Sequence, residues 1–367
     1  MDDLTAEQQP SASGLDRDAD SAFEQFVATV SKAAEASTAL DIVGGRTKSF
    51  YGRHTDGEIL ETSAYAGIIE YEPAELVITA RAGTRLSILQ EALREENQMF
   101  AFEPPSFGVN STLGGMVSAG LSGPRRPYAG AVRDAVLGVR ILSSSGEALS
   151  FGGQVMKNVA GYDVSRLVTG AMGTLGLILQ SSIRVAPRPQ LEATLVWQLD
   201  TQAAHRRMLD LVQRPWPISA IAYDGEFLRI RLSGHDQAVA EAQTELGADA
   251  TATNEYWTEL NEQSLPFFRS AKALWRLSVA PSAAISLDGD WLWDWGGACR
   301  WLKTSAPADQ VRRAAAGTGG HAMLFRHVAD DSPFAPLDTI NLALHKRIKN
   351  TFDPHGIFNP ARMYRGL

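Results

Sequence analysis

The chain has 367 residues, with 34 Lys and Arg against 42 Asp and Glu, a net charge of −8 and 44% hydrophobic residues. That length suits about two or three domains of roughly 100–200 residues each, and an acidic chain offers no broad cationic field for nucleic acid. One cysteine, Cys299, excludes an internal disulfide framework, a cysteine zinc site and a self-held iron–sulfur cluster.

Residues 1–20 carry six acidic groups and one Arg, show no charged-then-apolar leader, and read as a disordered lead-in. Order is expected from Ser21, which forms a capping box with Glu24, followed by Phe23, Phe26, Val27 and Val30 at helical spacing. Strands are predicted over 40–43, 67–71 and 76–82, and an amphipathic helix over 86–96 with Leu86, Leu89 and Leu93 facing inward. Residues 136–142 and 148–151, joined across Ser145 and Gly146, read as a hairpin. A long strand over 175–185 ends at Pro187 and Pro189, which mark a domain boundary.

Beyond that boundary strand and helix patterns alternate to about residue 246. Leu228, Ile230 and Leu232 interleave with Arg229 and Arg231, as on a sheet with one face covered by helices. Trp291, Trp293 and Trp295 have a period of two and are expected on one side of a strand, in a sheet core or subunit interface. A helix over 337–352 leads into the Asp353-Pro354 turn and a terminal tail. The longest apolar runs, such as 175–179, fall far short of the roughly 20 residues that a membrane helix needs. The expectation is a cytoplasmic protein without direct membrane insertion, peripheral to a membrane only through partners.

Four segments concentrate the chemistry. In the first, 42–52, a strand ends in Gly44 and Gly45, followed by Arg46, Thr47 and Lys48. Such a loop lets successive N–H groups converge on an anion, although a lone Gly-Gly pair also suits a tight turn. In the second, 103–123, Ser111 or Thr112 caps a helix whose first turn holds Gly114 and Gly115, with Ser118, Ala119 and Gly120 behind. Each such glycine costs roughly 1 kcal/mol relative to alanine, which points to a close backbone approach, by a phosphate at the helix start or by another helix. The third, 157–178, places glycines and alanines around an Asp163-capped turn, and the fourth is the tail 352–363.

In order, spacing and wording these segments resemble the FAD-binding domain of the vanillyl-alcohol oxidase family, the PCMH-type flavoproteins. The resemblance covers about residues 21–190 and 335–367. It implies an α+β fold, with a PCMH-type FAD-binding domain of two α+β subdomains over 21–190. A cap of antiparallel sheet and helices over 191–335 would serve substrate or a subunit interface, and 336–367 would return to the FAD site. It assigns the diphosphate to Gly44, Gly45, Arg46, Thr47 and Lys48, with Pro105, Thr112, Leu113, Gly114 and Gly115 on the other side. Ser118, Gly120, Tyr128, Gly173 and Ile178 complete the cofactor set, and Asn359 would stand beside the isoalloxazine ring. Lys157–Asp163 in the third segment and Asp353–Pro360 in the fourth carry further family wording.

No His or Cys lies within 42–52, so non-covalent FAD is expected. The activity implied is oxidation of glycolate or a similar small 2-hydroxy acid by hydride transfer to flavin. The resemblance also implies a larger FAD-binding subunit and an iron–sulfur subunit as partners. A self-sufficient flavin oxidoreductase for another 2-hydroxy acid, and a non-catalytic assembly subunit that keeps the fold, are the alternatives. The His-Gly-Asp-Gly-Asn strand of hydroxy-acid-oxidising relatives is absent. His321 and His327 without a carboxylate make a poor metal set, so no metal is expected and catalytic residues stay unassigned. Gly317, Gly319 and Ala322 fit G-x-G-x-x-A but follow a helix and precede a strand, the reverse of a dinucleotide fingerprint. Arg276 and Arg300 stand among aromatic residues, suited either to a substrate carboxylate or to ion-pair and cation–π contacts.

Overall fold

The apolar stripe that begins at Phe23 lies on a helix longer than its sequence signal. In the structure, a computed structural model that describes residues 12–153, 163–270, 272–326 and 332–367, this helix spans Ala12–Ala36. Ala19 and Ala22 are buried with Phe26, Val30 and Ala33, so the expected start at Ser21 and a disordered stretch reaching residue 20 are corrected. Alanines spaced by aspartates make a weak apolar stripe, which tertiary packing nonetheless buries.

The helix packs on two sheets. Leu40–Val43 pairs in parallel with Glu58–Glu61, a strand whose only buried residue, Leu60, leaves no apolar pattern to read. A five-stranded antiparallel sheet follows, in the order Ile68–Glu72, Val77–Arg81, Leu177–Arg184, Val136–Leu142, Ala148–Gly152. Its hairpin closes with Leu142 opposite Ala148, as the spacing predicts. On this sheet the helix Leu86–Glu95 buries Leu86, Leu89 and Leu93 beside Leu113, Met116 and Val117. Each such leucine contributes about 1.5–3 kcal/mol by leaving water.

Residues 191–326 build an eight-stranded antiparallel sheet in the order 250–252, 191–198, 227–234, 218–223, 290–294, 299–303, 274–278, 321–326. Leu228, Ile230 and Leu232 are fully buried with Met208, Leu211, Val239 and Ala242 from the helices Thr201–Leu211 and Asp236–Leu246. The opposite face is covered as well. Arg231, on that face, is only 4% exposed and stacks on Trp257. The Trp run divides, because the strand Asp290–Asp294 ends one residue before Trp295. The Asp294 carboxylate accepts the Trp295 N–H at 2.7 Å and Trp295 takes φ +54°, which turns its ring into a different core cluster from Trp293.

An ion network ties the segments at residues 103 and 125 to the eight-stranded sheet. Glu103 accepts the Arg125 N–H at 2.9 Å and pairs with Arg125 Nε at 3.2 Å and with Arg231 Nη2 at 2.7 Å. Arg125 also pairs with Glu192, which accepts from the Ser233 hydroxyl at 2.6 Å. Burial alone would raise the Glu192 pKa. The Ser233 hydrogen bond and the charges of Arg231 and Arg125 outweigh burial and hold it below the ordinary carboxylate range. Without Arg231, Glu103 and Glu192 must share one cation, Arg125. Arg231→Met is therefore expected to cost about 1.5–3 kcal/mol of unfolding free energy, the range for hydrogen bonds to charged groups, measured by denaturant titration of the full chain. Because Glu192 is depressed in the folded state, its contribution is present above the unfolded pKa of about 4.3. That contribution is lost as pH falls through the lower folded value, so the wild-type advantage over Glu192→Gln should shrink on acidification.

Candidate functional site

Between the parallel strand pair and the five-stranded sheet lies a cleft with about 1050 Å³ of empty space, part of it open to solvent. Its floor is the loop that leaves strand Leu40–Val43. Arg46 has φ +54°, the left-handed turn that makes consecutive amides converge. Among the described residues, the N–H groups of Gly44, Gly45, Arg46, Thr47 and Lys48 donate to no protein acceptor, so five adjacent donors stand on the cleft wall. Gly45 is required for packing: a Cβ there would fall 1.5 Å from the Asn110 carbonyl oxygen. The loop is thereby pressed against segment 110–112.

The facing helix, Leu113–Ala119, behaves differently from expectation. Thr112 caps it, with Oγ1 accepting the Gly115 N–H at 3.2 Å. Its two earlier amides are already taken, Leu113 N–H by the Thr84 carbonyl at 2.9 Å and Gly114 N–H by the Ala82 carbonyl at 2.8 Å. Gly114 admits residue 82, since a Cβ there would meet the Ala82 Cβ at 2.9 Å and its carbonyl oxygen at 3.1 Å. Close packing, and not a set of free amides, accounts for this helix start. Lys48 is also committed. Its ammonium donates to Ser111 Oγ at 2.8 Å and to the Ser106 carbonyl at 3.1 Å, and burial, partly offset by Glu262, pushes its pKa down to about 8. Arg46 is exposed.

The tail closes the cleft from the other side. Asn359 donates from Nδ2 to the Met172 carbonyl at 2.6 Å and accepts the Ile42 N–H at 2.8 Å. It ties strand 40–43 to the turn at Gly173, which has φ +70° and where a Cβ would lie 2.8 Å from Asn359 Nδ2. The tail is itself set by Lys349 in the helix Thr339–Phe352. Lys349 Nζ reaches Asp353 Oδ2 at 2.6 Å, the Phe358 carbonyl at 2.7 Å and the Thr174 carbonyl at 2.8 Å. Asp353 in turn accepts the N–H groups of Ile357 and Phe358 at 3.2 and 2.9 Å. The wording of segment 352–363 is the wording of this clamp.

Of the expected cofactor residues, Gly44, Gly45, Arg46, Thr47, Lys48, Thr112, Gly114, Gly115, Ser118, Gly173, Ile178 and Asn359 line the cleft. Leu113 is in the core, Pro105 is buried beside a separate small pocket, and Tyr128 lies 40% exposed away from the cleft. Gly120 faces a second cavity, open to solvent. Asp163 caps the helix Val164–Val168 through the Arg166 N–H, while Lys157–Tyr162 and His327 lie outside the described residues. The sequence reading missed Tyr51, His54, Met172 and Arg362 on the cleft wall. Arg362 donates to the Tyr51 carbonyl at 3.0 Å, and its place inside the terminal motif was the available signal. His54 is exposed, with Nδ1 3.3 Å from Asp56.

The two candidate arginines separate. Arg300 is 1% exposed and donates to the carbonyls of Gly297, Pro281 and Ala283 at 3.0, 3.1 and 2.7 Å, stacked on Trp293. Burial pushes its pKa down to about 10. It fastens the cap sheet, three of its five N–H donors being given to carbonyls, and it does not line the cleft. Arg276 instead lines the second cavity, which shares Tyr51 and Ala119 with the cleft. Among the described residues no cluster of three metal-ligating side chains forms. Gly317 follows the helix Ala308–Ala316 and precedes the strand His321–Arg326, the arrangement on which the dinucleotide reading was rejected.

Residues 22–152 match the FAD binding domain family. A solved structure of alkyldihydroxyacetonephosphate synthase shares the fold, with a TM-score of 0.66 at 15% identity over 92% of this chain and 74% of that one. The fold and cleft define an α+β flavoprotein of the PCMH type, with FAD as its cofactor. The chain is 44% identical over 339 residues to the glycolate oxidase subunit GlcE of Escherichia coli (strain K12), covering 92% of this chain and 96% of the relative. It is also 30% identical over 129 residues to the glycolate oxidase subunit GlcD of Bacillus subtilis (strain 168), covering 35% of this chain and 27% of the relative. The chain belongs to the GlcE family of glycolate oxidase subunits within the PCMH-type FAD-binding flavoproteins.

Asp353→Ala would leave the Lys349 ammonium buried without its counter-ion. The expected loss is about 3–5 kcal/mol of stability, read by denaturant unfolding.

Proposed function

We propose that the chain is the FAD-binding subunit of a complex that oxidises glycolate or a similar small 2-hydroxy acid. The observation that carries the reading is the row of five unaccepted amides from Gly44 to Lys48 on the wall of the cleft. Those amides would hold the diphosphate. The exposed Arg46 adds positive charge there, whereas Lys48 acts by holding segment 106–111 against the loop. The helix start at Thr112 to Gly115 would support the cofactor by shape, since its amides already have protein acceptors. Ser118, Gly173, Ile178 and the Asn359 clamp would wall the flavin end.

FAD, when bound, supplies the two-electron acceptor for oxidation of the substrate's CH–OH carbon. The chain's own residues bind, orient and shield it. Residues 12–190 with 336–367 would form the cofactor unit, and 191–335 the cap that bears on substrate or on another subunit. Cys299 is 1% exposed, and burial pushes its thiol pKa up to about 11, so it offers neither a cluster ligand nor a reactive thiolate. Electrons would therefore leave through partners, a larger FAD-binding subunit and an iron–sulfur subunit. No helix among the described residues is long and apolar enough to cross a membrane; the proposed location is cytoplasmic, with any membrane contact made through those partners.

The test is a visible absorption spectrum of the purified full chain before and after denaturation. The expected result is an oxidised-flavin spectrum, with the colour separating from the chain on unfolding, as non-covalent binding requires. Colour that stays with the unfolded chain would point to a covalent link and to His54. A folded, colourless chain that cannot be reconstituted with FAD would overturn the reading.

A further inference from the structure

The outer face of the eight-stranded sheet carries a buried cation with no carboxylate beside it. Along the strand Cys299–Lys303, Cys299 and Trp301 join the cluster that holds Tyr51 and Met172. Arg300 and Leu302 take the opposite face, where Leu302 packs with Val311 and Ala315 and Arg300 stacks on Trp293. The buried cations Arg125, Arg231 and Lys349 each pair with Glu103, Glu192 or Asp353. Arg300 is the exception among the described residues, since its polar contacts are the carbonyls of Gly297, Pro281 and Ala283. Burial lowers its pKa and no neighbouring carboxylate offsets the effect. The nearby acids are engaged elsewhere: Asp200 caps the helix Thr201–Leu211 through the Ala203 N–H, and Asp224 pairs with Arg229. A buried charge is costly without an opposite one. The three carbonyls use Nε and Nη2, which leaves the two N–H groups of Nη1 without an acceptor among the described residues.

The same arginine lines a pocket with Thr201, Tyr223, Ile285, Trp291 and Trp293. Its volume of about 140 Å³ is close to the ~150 Å³ of an apolar cavity that takes one benzene ring. The aromatic walls are fixed by their own contacts. His205 and Tyr223 meet Trp293 edge-on, with ring centres at 5.3 and 6.1 Å. Trp291 donates from Nε1 to the Leu287 carbonyl at 3.1 Å, and the Tyr223 hydroxyl lies 2.7 Å from the Gly225 carbonyl. We propose that this pocket binds a small planar carboxylic acid of about one ring, with the carboxylate on Arg300 Nη1 and the ring against Trp291, Trp293 and Tyr223. Such an acid brings the full negative charge that the carbonyls around Arg300 do not supply, and its flat body suits aromatic walls. The pocket shares no residue with the cleft, so the site goes beyond the function proposed above and does not depend on it.

Calorimetric titration of the purified full chain with benzoate, benzyl alcohol and acetate tests it, because the second probe keeps the ring and the third keeps the charge. Benzoate should bind one to one and about tenfold or more tightly than either, the range for a charge-assisted hydrogen bond. Arg300→Met should bring benzoate down to the level of benzyl alcohol. Because Arg300 also fastens the cap, a second variant guards against a folding defect: Ile285→Trp fills the pocket from a half-buried position, leaves Arg300 in place and should abolish benzoate binding while the thermal unfolding transition is retained. Benzoate that binds no more tightly than benzyl alcohol overturns the proposal. So does benzoate binding that survives Ile285→Trp, which would place the acid elsewhere on the chain.

Discussion

The arrangement around the cleft depends on one buried ion pair, Lys349 with Asp353. A lysine ammonium at 6% exposure is costly unless every donor is used, and here a carboxylate and two carbonyls use them. One of those carbonyls belongs to Thr174, so the pair fixes the terminal tail and the 172–176 turn by the same contact. Phe358 can then run parallel to Leu40, and Asn359 can reach both Ile42 and Met172. Segments more than 300 residues apart in sequence become one wall. Everything the glycine loop offers is offered from a strand held on that wall.

The Glu103 network does the corresponding work for the cap. It brings Arg125, from the segment behind the capped helix, against Glu192 and Arg231 of the eight-stranded sheet. A second contact strengthens this junction: Glu262, at the end of the helix Glu255–Asn261, accepts the N–H groups of Ser106 and Phe107 at 2.8 and 2.6 Å. Segment 106–111 is the segment that engages Lys48 and presses on Gly45. The cap and the Gly44–Lys48 loop are therefore mechanically connected through a few polar contacts.

Much of the fold was legible because burial left a periodic trace. The helix Leu86–Glu95, the hairpin from Val136 to Gly152 and the strand Leu40–Val43 fall where spacing places them. The strand Glu58–Glu61 was not legible, since one buried leucine among charged neighbours has no period. Of the site, motif order located the cleft but did not show which amides remain unused. At Thr112 the capped-helix pattern is genuine, yet the carbonyls of residues 82 and 84 reach its donors first, a tertiary fact absent from local sequence. Arg276 and Arg300 had equivalent surroundings in sequence. They diverge because Arg300 sits opposite Trp293 on the sheet face that meets the 281–283 turn, while Arg276 pairs opposite Trp301 and opens on the cavity. Trp295 left its stripe because Asp294 ended the strand.

The five amides of the Gly44–Lys48 loop carry a thermodynamic consequence for the whole chain. A ligand that takes them adds hydrogen bonds without displacing any protein partner, and the clamp that presents the loop exists only in the folded state. Binding must then pull the folding equilibrium by mass action, about 2.7 kcal/mol when free ligand stands at 100 times its dissociation constant. Such a shift multiplies the folded-to-unfolded ratio by about a hundred. Were that ligand the dinucleotide proposed above, the folded fraction of the chain would follow its supply.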